Sequence, residues 1–181
     1  MSRIRFAIVA LCVSLVTPAF AIAADDDHAV AALLAAGDSA MARLDLSAAT
    51  KAYTQAHHDD AKSYEAAWKL ARAYADSATM SSSAAAQERL CRQAETAARA
   101  AVALRPDGAK GHAFLAVALG KLALFEGGKQ KVRLSREIEA EADTALALDP
   151  NDDLAHHVVL SARWSSKHRV ERGHDRHFEA R

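Results

Sequence analysis

Two stretches of this chain repeat each other without a gap, 44 residues apart, and this repeat constrains the fold more than any other feature. Residues 95–106 align with residues 139–150, and the two stretches end at Pro106 and Pro150. The same offset places His112 over His156. A fixed period of this length is typical of helical hairpins that stack side by side, because one hairpin cannot bury its apolar face alone.

The composition favours helices over strands. Aromatic residues make up only 6% of the chain, with 7 glycines and 3 prolines among its 181 residues. Alanine-rich stretches have a high helix propensity, whereas β-branched and aromatic residues favour strands. A proline cannot continue the helix before it, so each copy of the repeat ends where its proline stands. The sequence therefore predicts an all-α fold.

Small residues recur in the same phase in both copies. They are Ala94, Ala98 and Ala101 in the first copy, and Ile138, Ala142 and Ala145 stand at the equivalent positions in the second. This spacing before a proline resembles the second helix of the tetratricopeptide (TPR) repeat, in which small residues let two antiparallel helices approach closely. The resemblance implies a TPR-like α-solenoid of antiparallel helical hairpins, with about three repeats and a partial fourth.

The first helix of each repeat has a recognisable pattern of apolar and small residues. It is seen at Leu33, Ala36, Gly37 and Ala40, at Leu70, Ala71 and Tyr74, and at Leu115, Ala116 and Leu119. In the first repeat Ala49 follows Gly37 by 12 residues, whereas the same separation is 23 and 22 residues in the next two. The later repeats therefore carry about ten extra residues that lengthen their helices. Turns are predicted at Ser81-Ser82-Ser83 and Gly127-Gly128.

One ordinary repeat followed by two lengthened ones resembles the regulator of microtubule dynamics family. The resemblance includes Leu70-Ala-Arg-Ala73 and the turn at Gly127-Gly128-Lys129, and it covers about residues 30–157. It implies a TPR scaffold that binds other proteins, and the chain looks like a bacterial-type, secreted relative. A microtubule role belongs to the eukaryotic members and is not carried onto this chain.

The first residues have the three parts of a secretory signal peptide. A basic start precedes an apolar run over residues 6–16, and small residues follow up to Ala21. The run is too short to span a bilayer comfortably, so we expect residues 1–21 to be removed and the mature chain to be periplasmic or secreted, with no stable membrane span. Ala23 and Ala24 are alternative ends, and a retained N-terminal anchor helix is the alternative interpretation.

The repeat pattern stops near the C-terminus. Asn151-Asp152-Asp153 is an N-cap signal, and residues 154–164 begin the first helix of a fourth hairpin. The remaining residues, 165–181, are rich in Arg and His and have no apolar period. We expect the TPR-like domain to span residues 26–164 and the tail to be disordered. The abrupt loss of pattern indicates a truncated or frame-shifted end.

Charge and motifs argue against nucleic-acid binding and catalysis. The chain has 23 basic and 23 acidic residues, so bulk charge does not favour a nucleic-acid partner. The sequence holds no nucleophile elbow, phosphate-binding glycine loop, Cys-x-x-Cys or His-Glu-x-x-His. We therefore predict no enzymatic activity, cofactor or metal site. Cys91 is expected to be a buried small hydrophobe on its helix.

Nine histidines leave metal or small-ligand binding as the alternative function. Neighbours such as His57-His58 point about 100° apart on a helix, so neither pair of adjacent histidines chelates a metal alone. Only His174 and His177 have a spacing that shares one face. Packing or capping is predicted for His112 and His156, and a place at a helix end for His57-His58.

The predicted binding surface is a groove lined by the first helix of each hairpin. The side chains expected to point into it are Leu34, Asp38, Met41, Glu65, Trp68, Arg72, Lys110, Ala113 and Val117. Trp68 and Arg72 are one turn apart, and both residue types contribute strongly to binding at interfaces. We predict that they anchor an unknown protein or peptide, with packing of Trp68 between repeats as the alternative. Self-association stays open.

Overall fold

The computed structural model describes the backbone of residues 20–160 and the side chains of residues 27–160. Its helices are α1 (Phe20–Ala42), α2 (Leu46–Asp59), α3 (Tyr64–Met80), α4 (Ala84–Leu104), α5 (Ala109–Leu122) and α6 (Gly128–Leu148). A further helical segment covers residues 153–160. The predicted signal peptide, except for its last two residues, and the predicted tail lie outside the described residues.

The helices pair as antiparallel hairpins. Helix α1 packs against α2, α3 against α4 and α5 against α6, while α4 and α3 both pack against α5. The segment 153–160 stands where the first helix of a fourth hairpin was expected. No strand occurs among the described residues. The prediction of an all-α, TPR-like solenoid with about three repeats and a partial fourth is confirmed.

Short polar side chains fix where three of the helices begin. Asp45, Ser63 and Ser83 each accept a hydrogen bond from the backbone N–H three residues further on, at 3.0, 3.2 and 3.4 Å. Such N-caps satisfy one of the free donors of a helix start. The cap at Ser83 closes the predicted serine turn, and α6 begins at Gly128. Both predicted turns are therefore confirmed.

Helix α1 ends in a Schellman motif without the usual glycine. The Asp45 N–H donates to the Ala40 carbonyl at 2.9 Å, and the Leu44 N–H donates to the Met41 carbonyl at 3.0 Å. Leu44 has a φ of 59°, in the left-handed region, and its side chain is 82% exposed. A non-glycine residue in this conformation carries a steric cost of roughly 1–2 kcal/mol.

The core is built from small side chains between the helices. The six positions that define the repeat phase in α4 and α6 are all buried. The largest enclosed side chains are Tyr53, Leu115, Leu119 and Cys91. Burial raises the pKa of the Cys91 thiol, and the prediction that it behaves as a buried hydrophobe is confirmed. Alanine at most contacts lets the hairpins approach closely, as the repeat pattern predicted.

The second helices differ in length. Helix α2 has 14 residues, whereas α4 and α6 have 21 each. At 1.5 Å per residue the later helices are about 10 Å longer. The predicted lengthening of the second and third repeats is confirmed. No helix within residues 20–160 is long and apolar enough to cross a membrane.

Candidate functional site

Helices α1, α3 and α5 form the surface that we call the inner face. Eight of the nine predicted groove residues are exposed or half-buried on it: Leu34, Asp38, Met41, Glu65, Trp68, Arg72, Lys110 and Val117. The ninth, Ala113, is fully buried with Ala145 and Ala155. Its small side chain allows the helices that follow to pack against α5. Ala113 therefore offers no surface to a ligand, unlike the sequence prediction.

An ion network joins α1 to α3 across the inner face. The Lys69 ammonium donates to Asp38 Oδ2 at 2.6 Å and lies 2.7 Å from Glu65 Oε1. The Tyr53 hydroxyl donates to Asp38 Oδ1 at 2.7 Å. The Lys69 side chain is 10% exposed, whereas both carboxylates are 53% exposed. The cation is thus enclosed, and the two carboxylates face solvent on either side of it.

The network determines the charge of its members. Burial acts to raise the pKa of Asp38, but the hydrogen bonds from Lys69 and Tyr53 outweigh it and hold this pKa below 3.8. Burial acts to lower the pKa of Lys69, but its bonds to Asp38 and Glu65 hold it above 10.5. Asp38 and Lys69 are therefore both ionised at neutral pH.

Trp68 joins α3 to α5. Its indole stacks on the ring of Phe114, with centroids 5.7 Å apart and planes 8° from parallel. The Lys69 ammonium lies 5.7 Å from the indole centroid, within cation–π range. Trp68 is half-buried, so it packs between repeats and also keeps part of its ring at the surface. Both roles considered for Trp68 are compatible with this position.

Arg72 is an exposed cation of the inner face. Its Nε lies 3.6 Å from Asp76 Oδ2, and the two side chains are 50% and 45% exposed. An exposed pair at this distance contributes little to stability, about 0.3–0.5 kcal/mol for i, i+4 partners on a helix. Because the pair is loose, the Arg72 guanidinium is available to another carboxylate.

Lys110 ties α5 to the last helical segment. Its ammonium donates to Asp152 Oδ2 at 2.8 Å. The same Asp152 accepts from the backbone N–H groups of Leu154 and Ala155, which confirms the predicted N-cap. Burial acts to raise the pKa of Asp152, but the hydrogen bonds from Lys110 and these N–H groups hold it below 3.8. Lys110 therefore acts first as a link between repeats.

The apolar members of the predicted set lie at the edge of the core. Leu34 and Met41 on α1 are half-buried and pack against it, and Val117 on α5 does the same. Their remaining exposed surface belongs to the inner face. Leu34 and Met41 stand one turn before and one turn after Asp38 on α1, so they supply apolar surface beside the ion network that a bound segment would contact.

Sequence reasoning missed three residues that organise the inner face, namely Lys69, Tyr53 and Phe114. Lys69 is separated from Asp38 by 31 residues, so no local sequence pattern predicts that the two side chains pair. One signal was available: Lys69 shares a helix side with Ala66 and Ala73, which stand three residues before it and four residues after it. A charged residue in such a place requires a charged partner from another helix.

The two repeat-related histidines make the same contact. Nε2 of His112 lies 2.8 Å from the Pro106 carbonyl oxygen, and Nε2 of His156 lies 2.8 Å from that of Pro150. The predicted capping role is confirmed for both. His57 and His58 occupy the last turn of α2, also as predicted. Among residues 27–160 no three metal-ligating side chains come together, and His174 and His177 lie outside that range.

Antiparallel hairpins packed through small residues define a TPR protein. The chain is similar to the Sgt2 TPR domain from Aspergillus fumigatus, with a TM-score of 0.62 and 19% identity over 78% of this chain and 82% of that one. It is also similar to the first TPR domain of human RPAP3, with a TM-score of 0.61 and 17% identity over 80% and 97%. At such identities the likeness shows the fold alone.

A match to a family model, rather than a structural likeness, identifies the family of this chain. The model of the family described as Regulator of microtubule dynamics protein 1-3 matches residues 33–167, so the chain belongs to this family. Regulator of microtubule dynamics protein 3 of Bos taurus is 30% identical over 97 residues, which are 54% of this chain and 20% of that protein. Its Rattus norvegicus counterpart is 29% identical over the same shares. The chain thus spans about a fifth of the length of these relatives.

Proposed function

We propose that this chain is a non-enzymatic scaffold whose inner face holds a protein or an extended peptide. The observation that carries the proposal is the exposed Arg72 guanidinium one turn from the half-buried Trp68 indole. Arginine and tryptophan are the residue types that most often dominate interface energies. Another TPR domain of this fold, the first TPR of Spaghetti (RPAP3), has been solved bound to the HSP90 peptide SRMEEVD, which supports the proposal.

The chemistry of the inner face suits a segment with mixed charge. Arg72 offers a planar set of donors to a ligand carboxylate. Asp38 and Glu65 keep half of their carboxylate surface in solvent, where they can accept from a ligand cation. Trp68, whose ring lies beside the Lys69 ammonium, provides apolar contact next to these charges. We therefore propose a ligand that places an apolar side chain on Trp68 and a carboxylate on Arg72.

The first test identifies the partner. A photo-crosslinking amino acid is placed at Arg72 in the source cell, and a matched control carries it at Arg136, an exposed position on α6. We expect one defined protein to be crosslinked from position 72 and absent from position 136. Adducts that are the same at both positions would contradict binding at the inner face.

The second test measures that partner's affinity. Arg72→Ala removes an exposed side chain, so it should leave folding intact and raise the Kd about tenfold or more, as for an interface anchor. Trp68→Ala would also break the stack on Phe114 and weaken the fold. Trp68→Phe keeps an aromatic ring in the stack and is the better variant. Unchanged affinity in both variants would rule out these two anchors.

We also propose that the scaffold works in the cell envelope after export. The basic start, apolar run and small residues of the first 21 positions support this location. N-terminal sequencing of the protein from its source cell should find a mature chain that begins at Ile22. A mature chain that begins at Met1 or Ser2 would reject the export proposal and leave the binding proposal standing.

A further inference from the structure

A second groove, which we call the outer groove, is lined by residues of α2, α3 and α4 that are not among the inner-face residues described above. It has a volume of about 580 Å³ and is bounded by α4, by Leu70 and Tyr74 of α3 and by His57 of α2. One continuous stripe of α4, from Ala85 to Ala100, forms its long wall. At 1.5 Å per residue this stripe is about 22 Å long, the length of four helical turns.

Small side chains keep the outer groove open. Ala85, Ala97 and Ala100 stand at points of the stripe where larger residues would fill the space. The Tyr74 ring is half-buried at the floor, beside the buried Leu70. The groove therefore combines an apolar floor with the length of a short helix, which fits the way an amphipathic helix is received.

Two arginines of the same stripe differ in their partners. Arg92 lies 2.7 Å from Glu88 and 3.3 Å from Glu126, so its charge is matched within the protein. Arg89, one turn earlier, is exposed and makes no hydrogen bond or ion pair with any of the described residues. The outer groove thus has one unmatched cation at its rim. A guanidinium in this state is best complemented by a carboxylate.

We propose that the outer groove binds an amphipathic helical segment of a partner protein, with apolar side chains on Tyr74 and Leu70 and a carboxylate on Arg89. This surface is formed by other residues than the inner face, so the proposal goes beyond the scaffold function. The chain would then hold two partners at once, because the two surfaces use different side chains.

The probe is a fluorescein-labelled, end-capped peptide of about 14 residues, long enough for four helical turns. It carries leucines three and four residues apart on one face, with a glutamate beside each leucine. Its twin has glutamine in place of every glutamate. Fluorescence anisotropy with the purified full chain is expected to give a Kd about two- to fivefold lower for the glutamate peptide, the gain that one exposed ion pair supplies.

Two variants locate the binding. Arg89→Glu is expected to raise the Kd of the glutamate peptide at least about tenfold, and Ala100→Phe is expected to do the same by filling the groove. The matched control is Arg133→Glu, which reverses an exposed charge at the equivalent position of the next repeat. It should leave the Kd within about twofold. Circular dichroism spectra establish that each variant is folded.

Several results would overturn the proposal. One is a lack of binding up to millimolar peptide, and another is equal affinity for the glutamate and glutamine peptides. Binding that survives Arg89→Glu but is lost on Arg72→Ala would place the peptide on the inner face. A dimer in sedimentation equilibrium that is lost on Ala100→Phe would show that a second copy of the chain fills the groove.

Discussion

His112 and His156 show how the same position of the repeat is used in two different environments. Both cap a proline carbonyl, but His112 is 8% exposed and its Nδ1 also lies 2.6 Å from Glu141 Oε2. His156 is exposed, and its ring has only the proline bond among the described contacts. The same residue type is therefore a buried link between α5 and α6 in one copy and a surface cap in the other.

Replacing these two histidines should have unequal effects. His112→Leu would leave the Glu141 carboxylate and the Pro106 carbonyl without this donor, so we expect the free energy of unfolding to fall by about 2 kcal/mol. His156→Leu should lower it by less than about 1 kcal/mol, since water replaces the lost bond. Urea unfolding followed by circular dichroism measures both. Equal losses of unfolding free energy would mean that burial of the histidine does not change its contribution to stability.

Asp38 makes the free energy of unfolding depend on pH. Its pKa is lowered in the folded state, so its stabilisation is present above the unfolded pKa and is lost as the pH falls through the folded value, below 3.8. We expect Asp38→Asn to reduce the loss of unfolding free energy between about pH 6 and about pH 2.5. The reduction should be small, roughly 0.5 kcal/mol, because the carboxylate is half-exposed. The exposed Asp107→Asn is the control, and an equal reduction there would contradict the prediction.

Helices α1 and α2 pack so closely that only a glycine fits at one position of their contact. A methyl group at Gly37 of α1 would overlap the ring of Tyr53, which is 2% exposed and held by its bond to Asp38. Gly120 of α5 has nothing within 4 Å of the same position. Two helical glycines thus stand in opposite surroundings. Only the first is required by close approach of α1 and α2.

Replacing each of these two glycines by alanine should change the stability of the protein in opposite directions. Gly37→Ala should destabilise the protein by about 1–3 kcal/mol, because overpacking exceeds the gain in helix propensity. Gly120→Ala should stabilise it by about 0.5–1 kcal/mol, the propensity gain alone. Thermal unfolding of the two variants beside the parent chain tests this. A stabilised Gly37→Ala variant would show that the Tyr53 ring can move aside.

The sequence predicted the helices well and their lateral contacts poorly. The serine and glycine turns were predictable because caps and chain breakers act within a few residues. Ala113 was misplaced because an alanine fits a groove wall as well as an interface, and only the helix that packs on it decides. The pair of Lys69 with Asp38 depends on how far α1 is rotated against α3. Rotation is set by packing over the whole hairpin, which no local pattern encodes.

At the scale of the whole molecule, polar and aromatic contacts connect successive repeats along one face. Asp38 meets Lys69 between the first and second hairpins, Trp68 meets Phe114 between the second and third, and Lys110 meets Asp152 beyond them. Stacked repeats are stabilised by such nearest-neighbour interfaces. Each link is therefore expected to affect mainly the unit next to it.

Lys110→Met tests whether stability is local in this way. Loss of the bond to Asp152, whose side chain is 2% exposed, should loosen residues 153–160. We expect amide hydrogen exchange there to become about tenfold faster, with α3 close to unchanged. Lys129→Met, at an exposed position of α6, is the control. A uniform acceleration in α3 and α4 would instead indicate one cooperative unit.

The unequal lengths of the second helices determine where a further repeat could be inserted. The two 21-residue helices share the repeat phase, and each is followed by a histidine that caps its proline. Helix α2, with 14 residues, ends without that proline and histidine. The repeated sequence therefore runs from the end of each long second helix, through its proline, into the helix that follows. A designer who wants to extend this protein should splice in another long hairpin between its two existing ones, because both new junctions would then repeat the contact of α4 with α5.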